Sequence, residues 1–214
     1  MRLTLSRSSG LLVTVAAAVA ISLPPVAVDA QLPDVSGTTS TITGILSGTT
    51  TVLADTGTLA AGTSDALQAS QLAGGVPSLL TADVLHAVTI GYPDQIDSEA
   101  SLASLSLSVA GVNIGADAVM ARVFGVLGTA GHGISNITNL SINGVPIPVT
   151  GDANQAIGIP GGVLIINEQR VSGDGTTVVN ALHLIVYGIA DVVVASATAG
   201  LSGGDAKAVQ ATTF

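Results

Sequence analysis

The chain has 214 residues, a length that suits one or two domains. Cysteine is absent, which excludes disulfides, thiolate metal sites and a cysteine nucleophile. The formal charge of −9 opposes DNA or RNA as a partner, because a nucleic-acid binder needs a basic footprint.

Residues 1–30 read as a secretory signal. Arg2 and Arg7 supply a positive start, and Leu11 to Leu23 is an apolar run too short for a confident membrane span. Pro24 and Pro25 end it, and Val28-Asp29-Ala30 offers a cleavage site after Ala30. The expected mature chain keeps Arg122, Arg170 and Lys207 against 13 acidic residues, with no transmembrane segment. Its expected place is extracellular, cell-surface or periplasmic.

Residues 31–63 are rich in Thr, Ser and Gly, and Thr and Gly are poor helix formers. A flexible or partly helical segment is expected there, and Ala66 to Leu72 reads as a short helix. Further on, Val84, His86, Val88 and Ile90 alternate with Leu85, Ala87 and Thr89, while Leu105, Leu107 and Val109 alternate with Ser104, Ser106 and Ser108. That two-residue period is the mark of a half-buried strand. Asn143-Gly144 between Leu140–Ile142 and Val145–Val149 predicts a hairpin with a type I′ turn, and Pro146 and Pro148 put its second arm on an edge. Val163 to Arg170 and Thr176 to Tyr187 flank Ser172-Gly173-Asp174-Gly175 as a second hairpin, and Ile189 to Ala197 is a central last strand. Eight to ten such strands predict an all-β fold, an antiparallel, jelly-roll-like β-sandwich over residues 64–201. Residues 202–214 read as a tail.

Chemistry is sparse. Gly200-Leu201-Ser202-Gly203-Gly204 matches a nucleophile motif, but no His follows Ser202 as the triad order requires. His86, His132 and His183 lack metal-ligand spacing. His86 and His183 fall in apolar strands, which suggests hydrogen-bonded core residues, and His132 falls in a Gly-flanked loop. Glu168 and Arg170 share a strand face and can pair, or Glu168 can meet His183 across the hairpin. Asn167 and Gln169 take the other face and are placed to cap loop backbone. The acidic turns with Asp94, Asp97 and Glu99, with Asp152, and with Asp174 are weak calcium candidates, since oxygen-rich loops can hold Ca²⁺. The sole lysine, Lys207, falls in the tail, which disfavours an isopeptide staple.

Pro160-Gly161-Gly162, Ile166-Asn167-Glu168-Gln169, Ala181-Leu182-His183 and the run Asp191 to Ala197 together resemble the choice-of-anchor P family. The resemblance implies a bacterial exported protein whose domain is joined to varied surface-sorting signals. It carries over no catalytic residue, and it directs attention to Asn167, Glu168, Gln169, His183 and Asp191. No sortase-type motif or terminal apolar span follows Leu201. The leading expectation is a non-enzymatic envelope, matrix or adhesion module that self-associates or meets a surface partner. A calcium- or glycan-binding module is the alternative, and a secreted hydrolase using Glu168 and His183 is the next.

Overall fold

A computed structural model describes residues 49–126, 129–200 and 203–213. The expected signal, residues 31–48 and Ser202 lie outside the described residues. The described chain is all β. Its strands are β1 (Thr49–Asp55), β2 (Ala66–Val76), β3 (Leu80–Gly91), β4 (Gln95–Val109), β5 (Val112–Val126), β6 (His132–Thr138), β7 (Ser141–Ile142), β8 (Val145–Pro146), β9 (Gln155–Ile159), β10 (Gly162–Val171), β11 (Thr177–Val186), β12 (Ala190–Gly200) and β13 (Gly203–Thr213).

Two antiparallel sheets face each other as a sandwich. One has the order β2-β3-β4-β5-β7-β8, with β6 also on β5; the other has the order β1-β13-β12-β11-β10-β9. The chain thus crosses one sheet hairpin by hairpin and returns across the other. β2 to β5 and β9 to β13 each pair in sequence order within one sheet, rather than alternating between sheets as jelly-roll connections do. β1 closes the path by pairing with β13, from Thr49 opposite Thr213 to Asp55 opposite Lys207. The buried apolar side chains are Ala, Val, Leu and Ile, so an aliphatic core joins the layers.

Three expectations are corrected here. Ala66 to Leu72 is the first part of strand β2, not a helix. The supposed tail is strand β13, which sits between β1 and β12. Its Ala206, Ala208, Val209 and Ala211 are in the core, an apolar pattern obscured in sequence by small residues and by Asp205 and Lys207. Thr49 to Asp55, inside the supposed loose segment, is strand β1. The Asn143-Gly144 turn has the expected geometry, with φ of 51° and 76°, and β8 ends its sheet.

The alternation of side chains changes phase at one level of each sheet. In the β1-to-β9 sheet, the buried positions on β12 run Ala190, Val192, Val194 and then Ala195, Ala197, Ala199. On β11 they run Val179, Ala181 and then Leu182, Leu184, Val186. The pairing on either side of this step aligns Ala54, Ala208, Ala195, Ala181 and Asn167 in one row across five strands. Ala54, Ala195 and Asn167, on every second strand, have φ of 50°, 55° and 52°. A left-handed residue leaves the two-residue repeat, so the alternation resumes on the other face. The sheet is therefore crimped across its width.

The facing sheet is crimped in the same sense. There the consecutive pairs Asp83/Val84, Ala103/Ser104 and Asp117/Ala118 lie between runs of core positions and point outward. Val84, Ser104 and Asn139 have φ of 50°, 51° and 54°. Two inward residues on one layer and two outward residues on the other point to the same absolute side. The layers consequently bend together.

Val84 is a β-branched residue in left-handed conformation and is 57% exposed, so it loses little burial on truncation. Val84→Gly is expected to stabilise the fold by about 1 kcal/mol. The melting temperature should rise by about 2–4 °C. A stop codon after Gly200 is expected to abolish cooperative unfolding, because it strips β1 and β12 of their shared neighbour. Circular dichroism on both variants checks these outcomes.

Candidate functional site

The one dense polar cluster of the candidate residues sits on the outer face of the β10-β11-β12 region. β10 and β11 form the second expected hairpin, with Glu168 opposite Asn180 and Ile165 opposite His183. On a regular strand Asn180 and His183, three positions apart, would point to opposite faces. The crimp at Ala181 and Leu182 turns both to the same outer face. Glu168 fills the space between them.

Both oxygens of the Glu168 carboxylate are engaged. Its Oε2 accepts from Asn180 Nδ2 at 2.6 Å and from His183 Nδ1 at 2.8 Å. Its Oε1 accepts from Arg170 Nη2. The other ring nitrogen, His183 Nε2, donates to Asp191 Oδ1 at 2.9 Å. Both ring nitrogens thus face carboxylates, which accept and do not donate, so the bonded geometry is that of an imidazolium. Glu168, Asn180 and His183 are 5%, 7% and 6% exposed.

Burial opposes ionisation of both groups, and the partners win. For His183, burial pushes the pKa down, but Asp191 and Glu168 lift it to about 9. For Glu168, burial pushes up, but the bonds from His183, Asn180 and Arg170 hold it at about 2. Two positive and two negative groups compensate one another around a buried pair, which is the condition for keeping charges there.

Asn167 reaches to the loop before β9, and the Gln169 side chain reaches to strand β6. Asn167 Nδ2 donates to the carbonyls of Gly151 and Asp152 at 3.0 and 3.2 Å. Gln169 Nε2 donates to Gly133 O at 3.2 Å and to Asn167 Oδ1 at 3.0 Å. Asn154 closes the loop by accepting from Gln169 N at 2.9 Å. The bonds to Gly151, Asp152 and Asn154 hold the chain between β8 and β10 against the sheet, and the bond to Gly133 ties β10 to β6 of the facing sheet.

The acidic candidates are dispersed. Asp97 and Glu99 are strand residues on β4, not turn residues. Asp97 takes a bidentate grip from Arg122, at 3.0 and 2.5 Å, with Glu99 3.7 Å from the same guanidinium. Asp94 is exposed in the turn before β4, and Asp152 is exposed in its loop. Asp174 Oδ1 accepts from Thr176 N at 2.9 Å within the hairpin turn, a bond that lowers its pKa. Among the described residues no three His, Asp or Glu side chains converge as ligands for a metal ion.

The histidines differ from expectation in two places. His86 is half-buried on the outer face of β3, bonded through Nδ1 to Ser70 Oγ at 2.8 Å, and is not a core residue. His132 opens strand β6 and is exposed. Lys207 lies on β13 with Nζ 2.8 Å from Asp205 Oδ2, which removes the tail argument against its participation in a cross-link. Asn180 is the cluster member that the sequence reading missed. Its only signal was an amide in an apolar strand.

The two shifts set a stability window. The raised His183 pKa contributes stability that is complete below about pH 6.5 and is lost as pH rises through about 9. The lowered Glu168 pKa contributes stability that is complete above about pH 4.5 and is lost as pH falls through about 2. Unfolding free energy is expected to fall by on the order of 2 kcal/mol between pH 6.5 and 9.5. His183→Gln should be less stable at pH 6 and should lack that alkaline slope. Urea titrations across pH measure both.

Comparison with known protein families, with curated proteins and with solved structures finds no match to this chain.

Proposed function

We propose that this is an exported, non-enzymatic β-sandwich that acts through its surfaces, as a structural module of the cell envelope or extracellular matrix. One observation carries the reading. Both ring nitrogens of His183 and both oxygens of Glu168 are bonded: His183 holds Glu168 and Asp191, and Glu168 holds Asn180 and Arg170. A general base needs a free nitrogen near the operating pH. An imidazolium locked between two carboxylates, with a pKa near 9, offers none at neutral pH. The cluster is better suited to clamping three strands where the crimp interrupts their ladder.

The sequence supports the rest of the reading. The N-terminal charge and apolar pattern suits export, and the motif order from Pro160 to Ala197 resembles a family of exported domains with interchangeable anchors. A cysteine-free chain in such a compartment relies on its core and on polar clamps rather than on disulfides.

Expression of the full chain in a bacterial host, followed by cell fractionation, tests the proposal. The protein is expected outside the cytoplasm, shortened by the signal. It is expected to turn over no ester, glycoside or peptide substrate. Glu168→Gln and His183→Gln should lower the folded yield without changing where the protein is found. Retention in the cytoplasm at full length, or a turnover lost in both variants while they remain folded, overturns the reading.

A further inference from the structure

The outer face of β3 and β4 holds an open depression of about 450 Å³ beside the β2–β3 turn. That volume lies within the range of small-ligand sites, about 300–1,000 Å³. Ser78, Thr81, Ser106 and Ser108 line it with hydroxyls, and Val76 and Pro77 add apolar surface. The register explains the convergence. Thr81 stands opposite Ser106 on adjacent strands, and Ser108 follows Ser106 on the same face. Ser108 Oγ donates to Asn113 Oδ1 at 2.7 Å, and Asn113 N donates to Asn143 Oδ1 at 2.8 Å. Two amides thus continue the polar surface beyond the depression.

Pro77 and Ser78 are the central residues of that turn, which closes as Leu79 N donates to Val76 O at 3.0 Å. Ser78 has a φ of 63°. Proline followed by a left-handed residue is the type II pattern, whose third position favours glycine. A serine there carries strain that glycine would not. What it adds is a hydroxyl on the rim of the depression. Strain retained beside a cavity points from the backbone outlier to a role for the side chain.

The chemistry of the lining selects the ligand. None of the described residues that line the depression is charged. Hydroxyls and amides both donate and accept, so they match a ligand rich in groups of the same dual kind. Sugar hydroxyls are such groups, and a sugar ring also offers a C–H face to the surface of Val76 and Pro77. Asp83, exposed two residues beyond Thr81, and the net charge of −9 oppose an acidic sugar. β3 and β4 are interior strands, so the sheet takes up their backbone groups and an extended peptide finds no ladder to join. Being open, the depression admits a segment of a longer chain.

We infer that this depression binds a neutral polysaccharide, with Ser78, Thr81, Ser106 and Ser108 hydrogen-bonding its hydroxyls. The inference rests on the structural-module reading and names the class of envelope or matrix polymer that the module holds.

Affinity electrophoresis of the protein recovered from the expression host tests it, in native gels containing laminarin, mannan or dextran, with polygalacturonate as the acidic counterpart. The wild type is expected to be retarded by at least one neutral polymer and to run freely in polygalacturonate. Ser106→Glu fills the depression with a charged side chain and should weaken binding at least about tenfold while keeping the wild-type circular dichroism spectrum. Ser78→Gly removes a hydroxyl and relieves the turn, so it should weaken binding with a melting temperature no lower than that of the wild type. Ile134→Glu adds the same charge on β6, away from the depression, and should bind as the wild type does. Free migration of the wild type in all the neutral polymers, retardation confined to polygalacturonate, or binding unchanged in both folded depression variants overturns the inference. A protein found outside the cytoplasm that no neutral polymer retards sinks the polysaccharide site alone. Retardation that depends on Ser106 and Ser78, in a protein that stays in the cytoplasm at full length or turns over a substrate, sinks the functional reading alone.

Discussion

The transverse crimp is the constraint on which the rest of this sandwich depends. A flat strand pair would keep one phase of alternation from end to end. Here every strand of the β1-to-β9 sheet but the short β9 changes phase at the row from Ala54 to Asn167. Left-handed backbone is uphill for residues with a Cβ, by about 1–2 kcal/mol each. It persists where the surroundings over-determine it. Those surroundings are the facing sheet, crimped in the same sense, and a row composed of alanines and one asparagine. Alanine fills a core position while adding no bulk, and asparagine tolerates a positive φ better than most residues.

The polar clamp follows from that geometry. The crimp turns Asn180 and His183 to one face and leaves a gap that a carboxylate can bridge. Glu168 enters the gap from β10, and Asp191 meets the imidazole from β12. Three strands are tied at the level where their regular ladder is interrupted. Burial strengthens each bond and raises the cost of breaking any one of them. The same arrangement suppresses acid–base reactivity, because the ring has no free nitrogen. A constellation that resembles a catalytic dyad in residue type is a fastening in its bonding.

Parts of this were legible in the residues. The two hairpins were, because Asn143-Gly144 and Ser172-Gly173-Asp174-Gly175 are turn chemistry between apolar runs. The meeting of Glu168 with His183 followed from pairing the second hairpin. The place of Asn180 was not legible, since its three-residue spacing from His183 assigns it to the wrong face unless the crimp is known. β2 and β13 were hidden for a related reason. Their alternation shifts phase midway, and glycine, alanine and serine give weak contrast between inside and outside. Asp97 and Glu99 clustered with Asp94 in sequence, yet they lie on β4 and are taken up by Arg122 from the adjacent strand.

The sequence by itself determined the all-β class, the turns, the acidic surface and the residue types available for chemistry. Each of these is local: turn residues set backbone angles over a few positions, and composition sets charge. Tertiary structure alone decided which distant strands pair, where the alternation reverses and which strands lie at the sheet edges. Those properties depend on pairings between distant strands, such as Thr49 with Thr213, and on one layer bending to match the other. No local pattern encodes them, because the energy that selects them is released only when both sheets are assembled.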